Sequence, residues 1–169
     1  MIASIYWIDN HNSSGRLAVL ARPRGDEWLE SEIQSWRDAG IDVVVSLLTA
    51  SEVADLGLKD EGQFCSQYEI EFRNFPIEDC SVPESRTETL ELVRSCHELL
   101  SSGKNIGFHC RGGLGRSPLI ASCVLMLSGK SAEEAYQTVG AARGLRVPET
   151  PEQAVWGKRL KQELSSTTN

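Results

Sequence analysis

The stretch from Asn105 to Leu127 constrains this chain more than any other. Asn105 to Phe108 reads as a short buried strand, and Pro118 to Leu127 is an apolar run without glycine, long enough for a helix packed on most sides. Between them lies Cys110-Arg111-Gly112-Gly113-Leu114-Gly115-Arg116-Ser117. Pro118 suits the first turn of the helix, where its missing N–H has no partner to lose. Glycines let successive backbone N–H groups turn inward, and the helix adds its positive end to the same concavity. A thiol at the floor of such a loop gives up its proton more readily than a free one, beside a helix N-terminus and a cation. The planar fork of Arg116 matches two phosphoryl oxygens at once, which a lysine could not do. The spacing therefore sets a nucleophile facing its own oxyanion clamp.

The rest of the composition narrows the class. At 169 residues the chain reads as one domain over 1–164, with a polar tail at 165–169 expected to fray. A formal net charge of −7 argues against nucleic acid or an anionic membrane as the main partner, since both want a basic face. The five cysteines (Cys65, Cys80, Cys96, Cys110, Cys123) are odd in number and lack zinc-ligand spacing, so reduced thiols in the cytoplasm are expected. Met1 to Asp9 lacks a basic segment followed by an apolar core, which reads as no signal peptide. No apolar run approaches the ~20 residues of a membrane span.

In chain order, Arg16 to Ala21 reads as a strand, and Asp26 as the cap of a helix with Leu29, Ile33 and Trp36 on one face and Gly40 as its stop. Ile41 to Leu48 is a valine-rich buried strand. Thr49 and Glu52 form a capping box, and the short helix after it ends near Gly57. Phe64 to Gln67 is ambiguous, whereas Tyr68 to Phe75 alternates like a strand. Ser81 and Glu84 form a second capping box for a helix with Leu90, Val93, Cys96, Leu99 and Leu100 on its buried stripe. Ser131 and Glu134 cap a further helix ending near Gly144, and Thr150 with Gln153 caps the last. The sum is an α/β fold: a mainly parallel sheet of four to five strands with helices on both faces.

His109-Cys110, five residues, then Arg116-Ser117 resembles the signature loop of the cysteine-dependent protein tyrosine phosphatase superfamily. Pro76 to Pro83 resembles the acid loop of its dual-specificity branch, in particular the kinase-associated phosphatase type, where an aspartate follows Pro-Ile by one residue. Asp79 holds that position. The resemblance implies a metal-free, cofactor-free hydrolase acting on phosphorylated protein or peptide, as a monomer. Cys110 would attack phosphorus and form a phosphocysteine. The loop from Arg111 through Gly112, Gly113, Leu114 and Gly115 to Arg116 would hold the phosphoryl oxygens. Asp79 would protonate the leaving oxygen, and Ser117 would hydrogen-bond the departing thiolate. His109 would fix the loop, and Gln153 lies where some members carry a water-positioning glutamine.

Other readings stand beside these. Asp79 could serve a cap at Ser81, with Glu78 as the acid. Gln153 could be only the partner of Thr150. Arg143 and Arg146 could approach the phosphate mouth or lie solvated at a helix end. Cys80 or Cys123 could trap Cys110 as a disulfide. As whole-chain alternatives, a phosphoinositide or RNA phosphatase would want more basic residues than Arg111. A non-catalytic phosphoresidue-binding module would not need all of Cys110, Arg116 and Asp79. A rhodanese-like sulfur carrier would not need Asp79.

Overall fold

The alternation of side chains along the strands decides the layering. In the computed structural model, which describes residues 3–10 and 13–166, Leu17, Val19, Val43, Val45, Ile106 and Phe108 enter one apolar cluster. Their neighbours Ala18, Leu20 and Val44 enter another on the opposite face. With period 2 and both faces apolar, these segments must be covered on both sides, as parallel sheets are.

The sheet has five strands: β1 (Ile5–Ile8), β2 (Leu17–Leu20), β3 (Val43–Ser46), β4 (Glu71–Asn74) and β5 (Ile106–His109). Their spatial order is β1-β2-β5-β3-β4, with β1 antiparallel to β2 and every other pair parallel. α1 (Leu29–Asp38), α2 (Ala50–Asp55) and α3 (Glu61–Gln67) follow the strands on one side. There Leu29, Ile33, Trp36 and Cys65 pack on Ala18, Leu20 and Val44. The opposite face carries α4 (Arg86–Ser101), α5 (Arg116–Leu127), α6 (Ala132–Arg143) and α7 (Pro151–Ser166), with α5 buried almost throughout. The expected α/β architecture is present.

Several local expectations shift. β1 carries no strand signal in the sequence, because three of its four residues are only half-buried at the sheet edge and show no alternation. Asp26 does not cap α1: it begins a 3-10 turn at φ +52°, and its N–H is taken by the Gly57 carbonyl at 2.9 Å. The segment 61–67 resolves as helix. The cap of α4 is Ser85, whose hydroxyl accepts from the Glu88 N–H, not Ser81. The Ser81 carbonyl is instead held by Gln153 Nε2 at 3.0 Å. The boxes at Thr49 and Ser131 are formed as read. Gly144 ends α6 in the left-handed conformation that glycine allows. Ser165 and Ser166, expected in a frayed tail, belong to α7, and 167–169 lie outside the described residues, as do Met1 and Ile2 of the N-terminal segment.

Gly107, in the central strand β5, has no room for a side chain, because an added Cβ would stand 2.5 Å from Leu20 Cδ1. Gly107→Ala is therefore expected to cost about 1–3 kcal/mol of stability in urea denaturation. Gly112→Ala, whose Cβ would meet nothing within 4 Å, is the control and leaves the midpoint in place.

Candidate active site

β5 runs straight into Cys110, and α5 begins at Arg116, so the loop is suspended between the central strand and a helix N-terminus. Gly115 occupies the N-cap position and brings no side chain to it, which leaves the first-turn N–H groups of α5 without a side-chain cap. Cys110 is buried, with Sγ 3.0 Å from Ser117 Oγ and 3.3 Å from the Gly113 N–H that donates to it. A sulfur anion at this position is met by donors on two sides.

Arg116 is 1% exposed and bonded through both terminal nitrogens. Its Nη1 and Nη2 grip Glu52 Oε2 and Oε1 at 2.8 and 2.9 Å. Nη1 also donates to the Ile77 carbonyl at 2.8 Å, and Nη2 to Asp79 Oδ1 at 2.9 Å. Burial alone would weaken its hold on the proton. The hydrogen bond to Glu52 and the electrostatic interaction with Cys110, Glu52 and Asp79 outweigh that and raise its pKa above the ordinary arginine value. In return the Arg116 hydrogen bond, against the penalty of burial, draws the Glu52 carboxyl down to about 2.

A cavity of about 180 Å³ brings Asp79, Arg111, Gly112, Leu114 and Gly115 together over Cys110 and Arg116. Glu78 is exposed and does not line it. The Asp79 carboxylate is aimed by the Cys80 N–H, which donates to Oδ1 at 3.0 Å. A service to a cap at Ser81 is excluded, because no helix begins there.

His109 points away, fully buried, with Nε2 2.6 Å from Glu61 Oε1. Gln153 is buried behind the loop. Its Oε1 accepts from the Thr150 N–H at 3.1 Å, its backbone N–H donates to Thr150 Oγ1 at 3.1 Å, and a Cβ on Gly115 would lie 2.8 Å from its Nε2. The Thr150 cap is thus formed, and the same amide packs on the loop. Among the cysteines, which form no disulfide, Cys80 lines the cavity. Cys123 faces the core, where burial pushes its thiol up to about 12.

Sequence reasoning missed Glu52 as a site residue, because its capping box already accounted for it. Its Oε2 serves both the Thr49 N–H and Arg116. Glu149, on the cavity rim 3.9 Å from Cys80 Sγ, and Glu61 carried no signal at all.

The Glu52 carboxyl stays ionised in the folded state to about pH 2, against 4.5 for the ordinary group. Its contribution to stability is complete above pH 4.5 and is lost as pH falls toward 2. That shift corresponds to roughly 3 kcal/mol. Glu52→Gln should lower stability at pH 7 by about this amount and flatten the acid limb of a denaturation series between these pH values.

Comparison with known proteins agrees with this geometry. Residues 18–130 match the family model described as polymorphic toxin system, DSP-PTPase phosphatase. Rat cyclin-dependent kinase inhibitor 3 is 25% identical over 142 residues, covering 82% of this chain and 66% of that protein. The chain spans between 20% and 66% of the first curated relatives it matches. The crystal structure of kinase associated phosphatase (KAP), with its catalytic-site cysteine changed to serine, superposes with a TM-score of 0.89 at 22% identity, over 98% of both chains. Tk-PTP in the active form gives 0.76 at 31% identity, over 94% of this chain and 97% of that one. A fold shared along nearly its whole length, and a family model over most of it, place this chain in the dual-specificity and protein tyrosine phosphatase (DSP-PTPase) family.

Proposed function

We propose that this chain hydrolyses phosphomonoesters on proteins or peptides through a phosphocysteine on Cys110. One observation carries the reading. A buried sulfur facing the Gly113 amide shares a small cavity with the Arg116 guanidinium and with the carboxyl group of Asp79, while Glu149 stands at the rim.

The Cys110 thiolate attacks phosphorus in line, forming an S–P bond as the ester P–O bond breaks. Asp79 gives its proton to the leaving oxygen. Loop amides from Arg111 to Arg116 and the Arg116 fork hold the three equatorial oxygens. These oxygens take the position at Nη2 that Asp79 occupies here, which frees its carboxyl for the leaving group. The Asp79 carboxylate then takes a proton from water as the water oxygen attacks phosphorus. Gln153, its amide held by the Thr150 N–H and the Ser81 carbonyl, supports the loop from behind Gly115 and is not placed to orient that water. The S–P bond breaks, the electron pair returns to sulfur, and Ser117 Oγ donates to the departing thiolate. Inorganic phosphate leaves. A cavity of about 180 Å³ is small beside the ~300–1,000 Å³ of most ligand pockets, which suits phosphoserine and phosphothreonine as well as phosphotyrosine. For an inositide, Arg111 is the only cation at the rim beyond Arg116 among the described residues, and it stands beside Asp79 and Glu149.

Purified protein should hydrolyse p-nitrophenyl phosphate without added metal, and Cys110→Ser should abolish turnover. Full activity in that variant overturns the reading. Asp79→Asn should lower kcat roughly 10²–10⁴-fold on alkyl phosphates and far less on p-nitrophenyl phosphate. An equal loss on both removes Asp79 from the acid role. Rates on phosphopeptides above those on inositides and phosphorylated RNA are expected, and the reverse order would transfer the substrate class.

A further inference from the structure

Arg143, the last residue of α6, reads from sequence either as a cation approaching the phosphate mouth or as one solvated at a helix end. In the fold it is spent on the back of the loop. Its Nε donates to the Gly113 carbonyl at 3.0 Å and its Nη2 to the Gly112 carbonyl at 3.3 Å. Its guanidinium carbon lies 4.3 Å from the centre of the Tyr6 ring, so β1 steadies it from one side while α6 supplies it from the other.

What gives these two bonds meaning is the far end of each peptide group. The Gly112 carbonyl belongs to the same peptide as the Gly113 N–H, which points at Cys110 Sγ. The Gly113 carbonyl belongs to the same peptide as the Leu114 N–H. A peptide dipole is about 3.5 D, and a cation at its oxygen end holds the N–H end toward the concave side. The cation's own field adds to the positive potential there. Gly113 sits at φ +70°, in a region glycine leaves as readily as it enters, so its own backbone preference does not keep the loop cupped.

We propose that Arg143 is a positioning residue for phosphoryl transfer: by bridging the outer carbonyls of Gly112 and Gly113 it keeps the amides of 113 and 114 turned toward the nucleophile and the transferring phosphoryl group. This rests on the phosphatase reading above. Arg143 lines no part of the cavity and touches no reacting atom. The role requires a fork, since two carbonyls on successive residues are gripped by two nitrogens of one plane.

The experiment compares wild type, Arg143→Met and Arg143→Lys for turnover of p-nitrophenyl phosphate. Calorimetry adds the affinity of each for orthovanadate, which takes the five-coordinate geometry of the transition state, and for inorganic phosphate. Circular dichroism and the thermal midpoint establish folding. Arg143→Met should lower kcat and vanadate affinity by roughly 10- to 100-fold, with KM and phosphate affinity changed by no more than about threefold. Arg143→Lys, a single point donor, should fall between the two.

A folded Met variant within about twofold of wild type in kcat and vanadate affinity overturns the proposal, and so does an equal loss of vanadate and phosphate binding. Should Arg143→Met not fold, the Lys variant decides by the same criteria. A wild type that binds vanadate but turns nothing over sinks the phosphatase reading alone, because vanadate binding still decides the role of Arg143. A wild type that binds no vanadate sinks both.

Discussion

The buried guanidinium of Arg116 is the charge around which the rest is placed. At 1% exposure it has left water almost entirely, and an unpaired charge there would cost many kcal/mol. Three groups from two distant segments answer it: Glu52 at the start of α2, and the Ile77 carbonyl and Asp79 after β4. Removing one partner of such a pair typically costs about 3–5 kcal/mol, because the remaining charge is left uncompensated. The ion pair therefore ties α2, the 77–79 segment and α5 into one geometry. It presents an arginine whose orientation is set before any anion arrives.

The parallel sheet is what lets these partners meet. β3, β4 and β5 point the same way, so their carboxyl ends lie along one edge. Glu52 follows β3, Asp79 follows β4 and Cys110 follows β5, and each emerges at that edge within a few residues of its strand. An open parallel sheet gathers its functional loops outside the carboxyl ends of its strands for this reason. β5 is the middle strand of the five, which gives the loop the most rigid support available.

Legibility followed the range of each interaction. The capping boxes at Thr49 and Ser131 and the pairing of Thr150 with Gln153 were readable, because both partners lie three residues apart and the geometry is fixed by one turn of helix. The same rule failed at Ser81 and Glu84. Ser85 and Glu88 satisfy the hydroxyl half of it four residues on, and the choice fell to Gln153, which holds the Ser81 carbonyl from across the fold. Asp26 was misplaced for a related reason, since the Gly57 carbonyl, remote in sequence, claims its N–H. At Glu52 the local duty at Thr49 conceals the second one at Arg116.

The sequence by itself determined the strand, the glycine turn, the open helix start and the Cys110–Arg116 spacing, because backbone dihedrals and fixed offsets along the chain produce that cup wherever the segment is buried. It also determined the two-faced apolar strands that demand helices on both sides. Only the tertiary structure decided which carboxylate braces Arg116, that Glu61 meets His109, and that Arg143 reaches the outer carbonyls of the loop. Those contacts join residues 30 to 64 positions apart. No periodicity or offset encodes such a pairing; the packing of β1, α2, α3 and α6 around the central strand does.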